Sequence, residues 1–167
     1  MELAILDFIQ NNLRCGVLDA CMVAVTHLGD LGAVWLAGAL VAFVSGKRRL
    51  AVSIMVAVVL AGVAGTVVPK PLIARPRPCD IVPAVKLLVA RPGDCSFPSG
   101  HAATAFAAAT VLFCAGNRWR GPALVFAILI AYSRMYLYVH YPTDVLAGML
   151  LGIVCGFVVG EPMTSRT

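Results

Sequence analysis

Long apolar runs, separated by short polar breaks, dominate the chain from residue 31 onwards. A helix needs roughly 17–25 apolar residues to cross a bilayer, and most of these runs have that length. The first run is short, but it can borrow residues 17–28 across the break at Gly29-Asp30. We therefore predict an all-α bundle of about five transmembrane helices, or six if residues 17–28 cross separately. The predicted spans are residues 31–46, 50–69, 99–115, 121–139 and 143–160.

The first thirty residues have a different pattern. Apolar and polar positions alternate at helical spacing over residues 3–12, which is typical of an amphipathic helix lying on a membrane surface. The start of the chain lacks a basic region, and Asp7 interrupts its apolar stretch, so we expect no cleavable signal peptide. We expect interfacial helices over residues 1–30, the helical bundle over residues 31–160, and an extracytoplasmic loop over residues 79–97.

Composition supports a single integral-membrane domain over residues 1–167. The chain is 60% hydrophobic and 13% charged, with a mean hydropathy of +0.91, whereas soluble domains carry about 25% charged residues. The net charge of +5 raises the question of nucleic-acid binding. That function needs a basic face, and here the cations lie in short loops between apolar runs, so we expect no nucleic-acid partner.

Basic residues also predict the orientation in the membrane. Lys47-Arg48-Arg49 separates the first two spans, Arg118-Trp119-Arg120 separates the third and fourth, and Arg166 follows the last. Cytoplasmic loops carry an excess of lysine and arginine, so we assign these segments to the cytoplasm. The polar motifs described next then fall at the extracytoplasmic ends of the spans.

Three polar motifs interrupt the apolar second half, and together they carry three cations, two histidines and one carboxylate. Lysine and arginine suit phosphate oxygens, as a point charge and as a planar fork. Each motif alone has an ordinary explanation: a basic helix flank, an interfacial histidine, or an aspartate at a helix start. Together, at one end of the spans, they favour a phosphate site. The motifs are Lys70-x6-Arg77-Pro78, Pro98-Ser99-Gly100-His101 and Ser133-Arg134-x5-His140-x3-Asp144.

The residue types suggest individual roles. Ser99 is a good N-cap, and the helix start after it offers open N–H groups to an anion. His101 stands at that helix start, where it can give a proton to a leaving oxygen. Arg134 lies among apolar residues, which is costly unless it meets an anion or a water-filled cavity. Asp144 lies within reach of His140, where a carboxylate orients the ring and activates its other nitrogen.

These motifs resemble the three-part signature of the type 2 phosphatidic-acid phosphatase superfamily, which shares its site with vanadium haloperoxidases. The resemblance implies a lipid phosphatase with His140 as nucleophile, oriented by Asp144, and a phosphohistidine intermediate. It implies that His101 protonates the leaving oxygen and later activates water, and that neither a metal nor another cofactor is needed. The phosphate ligands that it implies are Lys70, Arg77, Ser99, Gly100 and Arg134.

The resemblance leaves the substrate open. We favour undecaprenyl diphosphate, with phosphatidylglycerophosphate or phosphatidic acid as the alternative. A transporter would need ionisable residues at mid-depth in several spans, and spans two, three and five are nearly bare of them there. Hydropathy argues strongly against a vanadate-dependent oxidase, because those relatives are soluble. The four tyrosines suggest an aromatic belt near the site or, alternatively, lipid contacts; they are Tyr132, Tyr136, Tyr138 and Tyr141.

Two further features have alternative interpretations. Cys79 and Cys95 bracket the loop on the side expected to be oxidising, so they form either a disulfide or two free thiols. Glycines recur every fourth residue along the last span, where another backbone can approach closely. They serve either packing within the bundle or a homodimer contact; they are Gly148, Gly152, Gly156 and Gly160.

Overall fold

The computed structural model describes residues 1–66 and 69–164, and within these ranges it contains helices and no strand. The all-α prediction is therefore confirmed for the described residues. The five predicted apolar runs each correspond to one helix, to within a few residues. The elements are α1 (Glu2–Asn12), α2 (Gly16–Leu28), a 3₁₀ turn (Asp30–Gly32), α3 (Ala33–Val44), α4 (Arg48–Thr66), α5 (Pro69–Ile73), α6 (Pro78–Ile81), α7 (Gly100–Cys114), α8 (Arg120–Tyr136) and α9 (Pro142–Thr164).

Within the described ranges, two helices are long and apolar enough to cross a membrane, over Arg48–Thr66 and Pro142–Gly160. A third candidate is the pair formed by α2 and α3, which qualify together but are bent by 51° at the break between them. Leu31 and Gly32 form this bend with positive φ angles of 52° and 71°. Glycine adopts such angles without steric cost, so Gly32 suits the bend. The count of five or six spans stays a prediction.

Helix α7 is the centre of the bundle and packs against α4, α8 and α9. Its residues from Ala102 to Val111 are all buried, and most are alanine. Small side chains on α7 meet the glycines of α9, where an added methyl group at Gly148 or Gly152 would overlap carbonyl oxygens of α7. All four α9 glycines face α7 in this way. This face is therefore occupied by packing within the bundle, the first of the two alternatives, and a homodimer stays a prediction.

The N-terminal helices pack on the motif-bearing end of the bundle. Leu6 and Ile9 of α1 are buried, and Met22 of α2 joins Ile9 in a cluster with residues at the end of α8. Residues 16–28 thus lie against α8 rather than apart from the bundle. The hydroxyl of Tyr136 donates to Asp19 of α2.

For this end the structure corrects one expectation and decides between two alternatives. Three of the four tyrosines, Tyr136, Tyr138 and Tyr141, are buried under the N-terminal helices and do not form an exposed belt. Cys79 and Cys95 are not joined by a disulfide. Cys79 is instead fully buried beside Leu6, as a small apolar packing residue.

The two ends of the bundle differ in chemistry. The loops around Lys47–Arg49 and Gly116–Arg118 adjoin at one end, where they line a shared shallow cavity. Helix α4 runs from this end toward the first motif, α7 starts at the second motif, and the third motif spans the end of α8 and the start of α9. The fold therefore collects the three motifs at the end opposite the two basic loops.

Candidate active site

A cavity of about 630 Å³ opens at the motif-bearing end. All three sequence motifs contribute to its wall, although they come from four different parts of the bundle. The structure thus brings together both histidines and all three predicted cations around one space. The motif residues that line the cavity are Lys70, Arg77, Gly100, His101, Arg134 and His140.

His140 lies in the turn between α8 and α9, and a buried carboxylate sits beside its Nδ1. Asp144, in the first turn of α9, places Oδ2 3.6 Å from that nitrogen. The Ser96 hydroxyl donates to the same Oδ2 at 2.5 Å and lies 3.5 Å from Nδ1. The backbone N–H of Tyr141 also donates to Oδ2. The acceptors around Nδ1 therefore favour the tautomer that carries its proton there.

The other ring nitrogen of His140 faces a cation. Nη1 of Arg77 lies 3.1 Å from Nε2, and because a guanidinium can only donate, Nε2 presents a lone pair. Burial, together with the charges of Arg77 and Arg134, lowers the pKa of His140 to about 3 against the opposing effect of Asp144. The imidazole is therefore neutral near neutral pH, with an unprotonated Nε2 at the cavity, which is the form a nucleophile requires.

Arg77 is fixed on all sides by hydrogen bonds. Its Nε donates to the Asp94 carbonyl at 2.8 Å, its Nη1 to the Val139 carbonyl at 2.7 Å, and its Nη2 to the Asp94 carboxylate at 2.6 Å. Lys70 forms an ion pair with the other Asp94 oxygen. Burial disfavours the charged carboxylate, but the hydrogen bonds from Lys70 and Arg77 hold the pKa of Asp94 at about 2. A carboxylate thus bridges two of the predicted phosphate ligands.

Arg134, near the end of α8, is the least satisfied cation of the site. Its Nη1 donates to the Thr26 hydroxyl, whereas its Nε is buried and has no hydrogen-bond partner among the described residues. The residue is only 6% exposed. An isolated buried charge is expensive, and an anion in the adjacent cavity would offset that cost.

The second motif forms the start of α7. One of its residues caps the helix, and two others line the cavity. The Ser99 Oγ accepts the backbone N–H of Ala102 at 3.5 Å, and Ser99 is fully buried. Ser99 is not among the residues that line the cavity, and its role as a phosphate ligand stays a prediction. Gly100 and His101 do line it. The Nε2 of His101 lies 2.8 Å from Asp30 Oδ1.

Four residues of the site were not assigned a role from the sequence: Asp30, Arg75, Ser96 and Asp94. Arg75 donates to Asp144 Oδ1 at 2.6 Å and to Glu2 at 2.5 Å, so it binds the carboxylate behind the nucleophile rather than the cavity. The position of Arg75 in the proline-rich stretch and of Ser96 before the second motif gave only a weak signal. Among the described residues, no cluster of three or more histidine, cysteine or acidic side chains is arranged to hold a metal ion.

Comparison with known proteins agrees with this geometry. The model of the PAP2 superfamily matches residues 48–161. An undecaprenyl-diphosphatase from Sulfolobus acidocaldarius is 35% identical over 89% of this chain and 72% of its own length. A decaprenylphosphoryl-5-phosphoribose phosphatase from Mycobacterium tuberculosis is 34% identical over 95% of this chain and 88% of its own. The crystal structure of Aquifex aeolicus LpxE superimposes with a TM-score of 0.81 and 31% identity, covering 96% of this chain and 94% of that one.

Proposed function

Because the chain belongs to the PAP2 superfamily and is a membrane-bound phosphatase of that family, we propose that its substrate is a polyprenyl diphosphate. Undecaprenyl diphosphate, converted to undecaprenyl phosphate and inorganic phosphate, is the preferred candidate. The undecaprenyl-diphosphatase relative supports this choice. A second relative is named for a decaprenyl-linked phosphate, which supports the polyprenyl class.

One observation carries the chemistry: the neutral His140 faces a cavity that also holds three cations. An unprotonated Nε2 of His140, beside Lys70, Arg77 and Arg134, fits attack on phosphorus. The cations are fixed before the reaction, and such preorganised electrostatic stabilisation is usually the largest catalytic contribution. This arrangement favours a phosphatase over a transporter, because it gathers reactive groups around one phosphoryl position.

The proposed reaction has two steps. His140 Nε2 attacks the terminal phosphorus, the bond from phosphorus to the bridging oxygen breaks, and His101 donates a proton to that oxygen. Water then attacks the phosphohistidine while His101 takes up a proton. The bond between phosphorus and Nε2 breaks, which releases inorganic phosphate and restores the neutral imidazole. Asp144 stabilises the ring through the Nδ1 side during both steps.

We propose that Lys70, Arg77, Arg134 and the backbone N–H of Gly100 hold the phosphoryl oxygens. Asp94 occupies Lys70 and Arg77 in the structure, so substrate binding requires its carboxylate to move aside. The Ser99 hydroxyl accepts the Ala102 N–H at the start of α7, and we propose it as a further ligand through its own O–H.

The cavity wall supports a lipid substrate. From the cations it continues along α3 and α4 over apolar residues, several of them exposed at the outer surface of the bundle. A hydrocarbon chain attached to the phosphate can lie along this wall while the headgroup reaches His140. The residues of this wall are Leu36, Val58, Val59, Gly62 and Val63.

We also propose that the site faces the extracytoplasmic side of the cell membrane. The support is the position of the two basic loops at the opposite end of the bundle. The substrate would then be met in the outer leaflet, with its phosphate at the level of the helix ends.

The function is tested by phosphate release from a panel of detergent-dispersed lipids: undecaprenyl diphosphate, phosphatidylglycerophosphate and phosphatidic acid. We expect the highest kcat/KM for undecaprenyl diphosphate. A preference for one of the glycerol lipids would support the alternative substrate, and no release from any of them would contradict the phosphatase assignment.

The nucleophile is tested with His140→Ala, which we expect to lower turnover at least about 10³-fold, since it removes the group that forms the covalent intermediate. Arg118→Ala, which removes an exposed side chain at the opposite end of the bundle, is the control for folding and detergent extraction. Robust phosphate release by the His140→Ala protein would refute the phosphohistidine mechanism.

A further inference from the structure

The second histidine of the cavity is paired with a carboxylate from an unexpected part of the chain. Asp30, in the 3₁₀ turn between α2 and α3, places Oδ1 2.8 Å from His101 Nε2. Its other oxygen, Oδ2, lies 2.9 Å from Nδ1 of His27. One carboxylate is therefore held between two imidazoles, and only one of these belongs to a sequence motif.

The bend that carries Asp30 is fixed tightly against the start of α7. A methyl group added at Gly29 would lie 3.1 Å from His101 Cδ2 and 3.1 Å from Ile130, so only a residue without a side chain fits comfortably. On the other side, Gly32 adopts a φ of 71°, and a methyl group there would meet Val58 at 2.8 Å. The turn therefore has little freedom to move Asp30 away from His101.

The pairing determines which nitrogen of His101 is available. With the Nε2–H donated to Asp30, Nδ1 is the ring nitrogen left for proton transfer. A carboxylate partner also favours the protonated ring, whereas burial and the positive charges of Arg134 and Arg77 disfavour it. A general acid must carry its proton before the leaving oxygen departs. By opposing the two arginines, the Asp30 carboxylate helps His101 to carry that proton.

We infer that Asp30 is a positioning residue of the reaction, which orients the His101 ring through Nε2 so that Nδ1 can protonate the leaving oxygen. The inference rests on the proposed role of His101. It assigns to the α2–α3 bend a part in catalysis that the three motifs do not contain. The two histidines then have separate carboxylates: Asp144 serves the nucleophile, and Asp30 serves the acid.

The test compares two leaving groups on the same tail, with dodecyl phosphate and dodecyl diphosphate as probes. The alkoxide that leaves from the monophosphate depends strongly on protonation, whereas the phosphate ester that leaves from the diphosphate depends on it far less. General acid catalysis is typically worth 10²–10⁴-fold. We expect Asp30→Asn to lower kcat/KM by about 10²-fold or more for dodecyl phosphate and by less than about 10-fold for dodecyl diphosphate.

Two further variants separate positioning from folding. Asp30→Glu keeps the carboxylate, and we expect it to recover part of the activity toward dodecyl phosphate. Asp19→Asn removes a carboxylate of α2 that binds Arg14 and Tyr136 instead, and we expect it to leave the ratio of the two kcat/KM values unchanged. Equal losses on both substrates in Asp30→Asn would overturn the inference, because a merely structural role gives that result.

The His101→Ala variant distinguishes failure of this inference from failure of the proposed mechanism. We expect it to show the same selective loss on dodecyl phosphate, and the double variant Asp30→Asn/His101→Ala to show no additional selectivity. A selective loss in His101→Ala without one in Asp30→Asn would refute the role of Asp30 alone. No selective loss in His101→Ala would refute the assignment of the general acid itself.

Discussion

At the scale of single residues, the site contains two histidines whose surroundings differ. His140 is enclosed, with the Arg77 guanidinium on Nε2 and Asp144 near Nδ1. His101 is partly open to the cavity and has Asp30 on Nε2. Nε2 of His140 thus accepts from a guanidinium and is unprotonated, whereas Nε2 of His101 faces a carboxylate. A nucleophile and a general acid need this difference.

Asp94 provides a pH-dependent test of the ion pairs at the site. Its pKa is about 2 in the folded protein and 3.8 ordinarily, so between these values the unfolded chain binds more protons than the folded one. Stability from the Asp94 contacts is therefore complete above about pH 4 and is lost as the pH falls toward 2. We expect the gap in melting temperature between the wild type and Asp94→Asn, in detergent, to shrink over this range. A gap that stays constant from pH 5 to pH 2 would contradict the proposed ion pairs.

The residues outside the motifs show what sequence reasoning misses. Asp94, Ser96 and Asp30 contact partners that are 24, 48 and 71 positions away in the chain. The motifs indicated the chemical groups around a phosphate, because histidine, lysine and arginine have few other uses among apolar spans. No pattern in one sequence tells which distant carboxylate will meet a given cation, since that depends on how the helices are arranged.

At the scale of elements, hydrophobic pattern and span length predicted the long helices well. The predicted run 50–69 corresponds to α4 (Arg48–Thr66), and the run 121–139 corresponds to α8 (Arg120–Tyr136). The sequence could not tell whether the α9 glycines pack against another helix of the bundle or against a second chain. Both contacts would bury the same residues. Likewise, the break at Gly29-Asp30 was visible, but its contact with His101 was not.

The close approach of α7 and α9 leads to a prediction for Gly152. A methyl group there would overlap the Ala103 carbonyl oxygen, and this backbone atom cannot move without shifting α7. Overpacking of this kind costs about 1–3 kcal/mol or more, so we expect Gly152→Ala to lower the melting temperature and the activity. The control is Gly38→Ala on α3, where an added methyl group meets nothing within 4 Å. Equal melting temperatures for the two variants would show that the helices are farther apart than described.

At the scale of the whole molecule, the bundle has two chemically different ends. The motifs, the cavity and the N-terminal helix α1 lie at one end, where Glu2 of α1 binds Arg75 and Thr143. The basic loops lie at the other end. Hydropathy and loop charge predicted this division from the sequence. A chain that crosses the bilayer repeatedly has its loops on alternating sides, so the basic loops and the motifs fall at opposite ends. The same division makes the orientation in the membrane testable.

Orientation is tested by labelling single cysteines in intact cells with a membrane-impermeant maleimide, after replacement of the six native cysteines. Lys86, in the loop beside the cavity, and Arg118, in a basic loop at the opposite end, are both exposed. Because lysine and arginine are retained on the cytoplasmic side, we expect Lys86→Cys to react from outside and Arg118→Cys to react only after permeabilisation. Both variants should retain phosphate release, which would show that the labelled proteins are folded. The reverse labelling pattern would place the site in the cytoplasm, so that the enzyme would have to meet its lipid substrate in the inner leaflet.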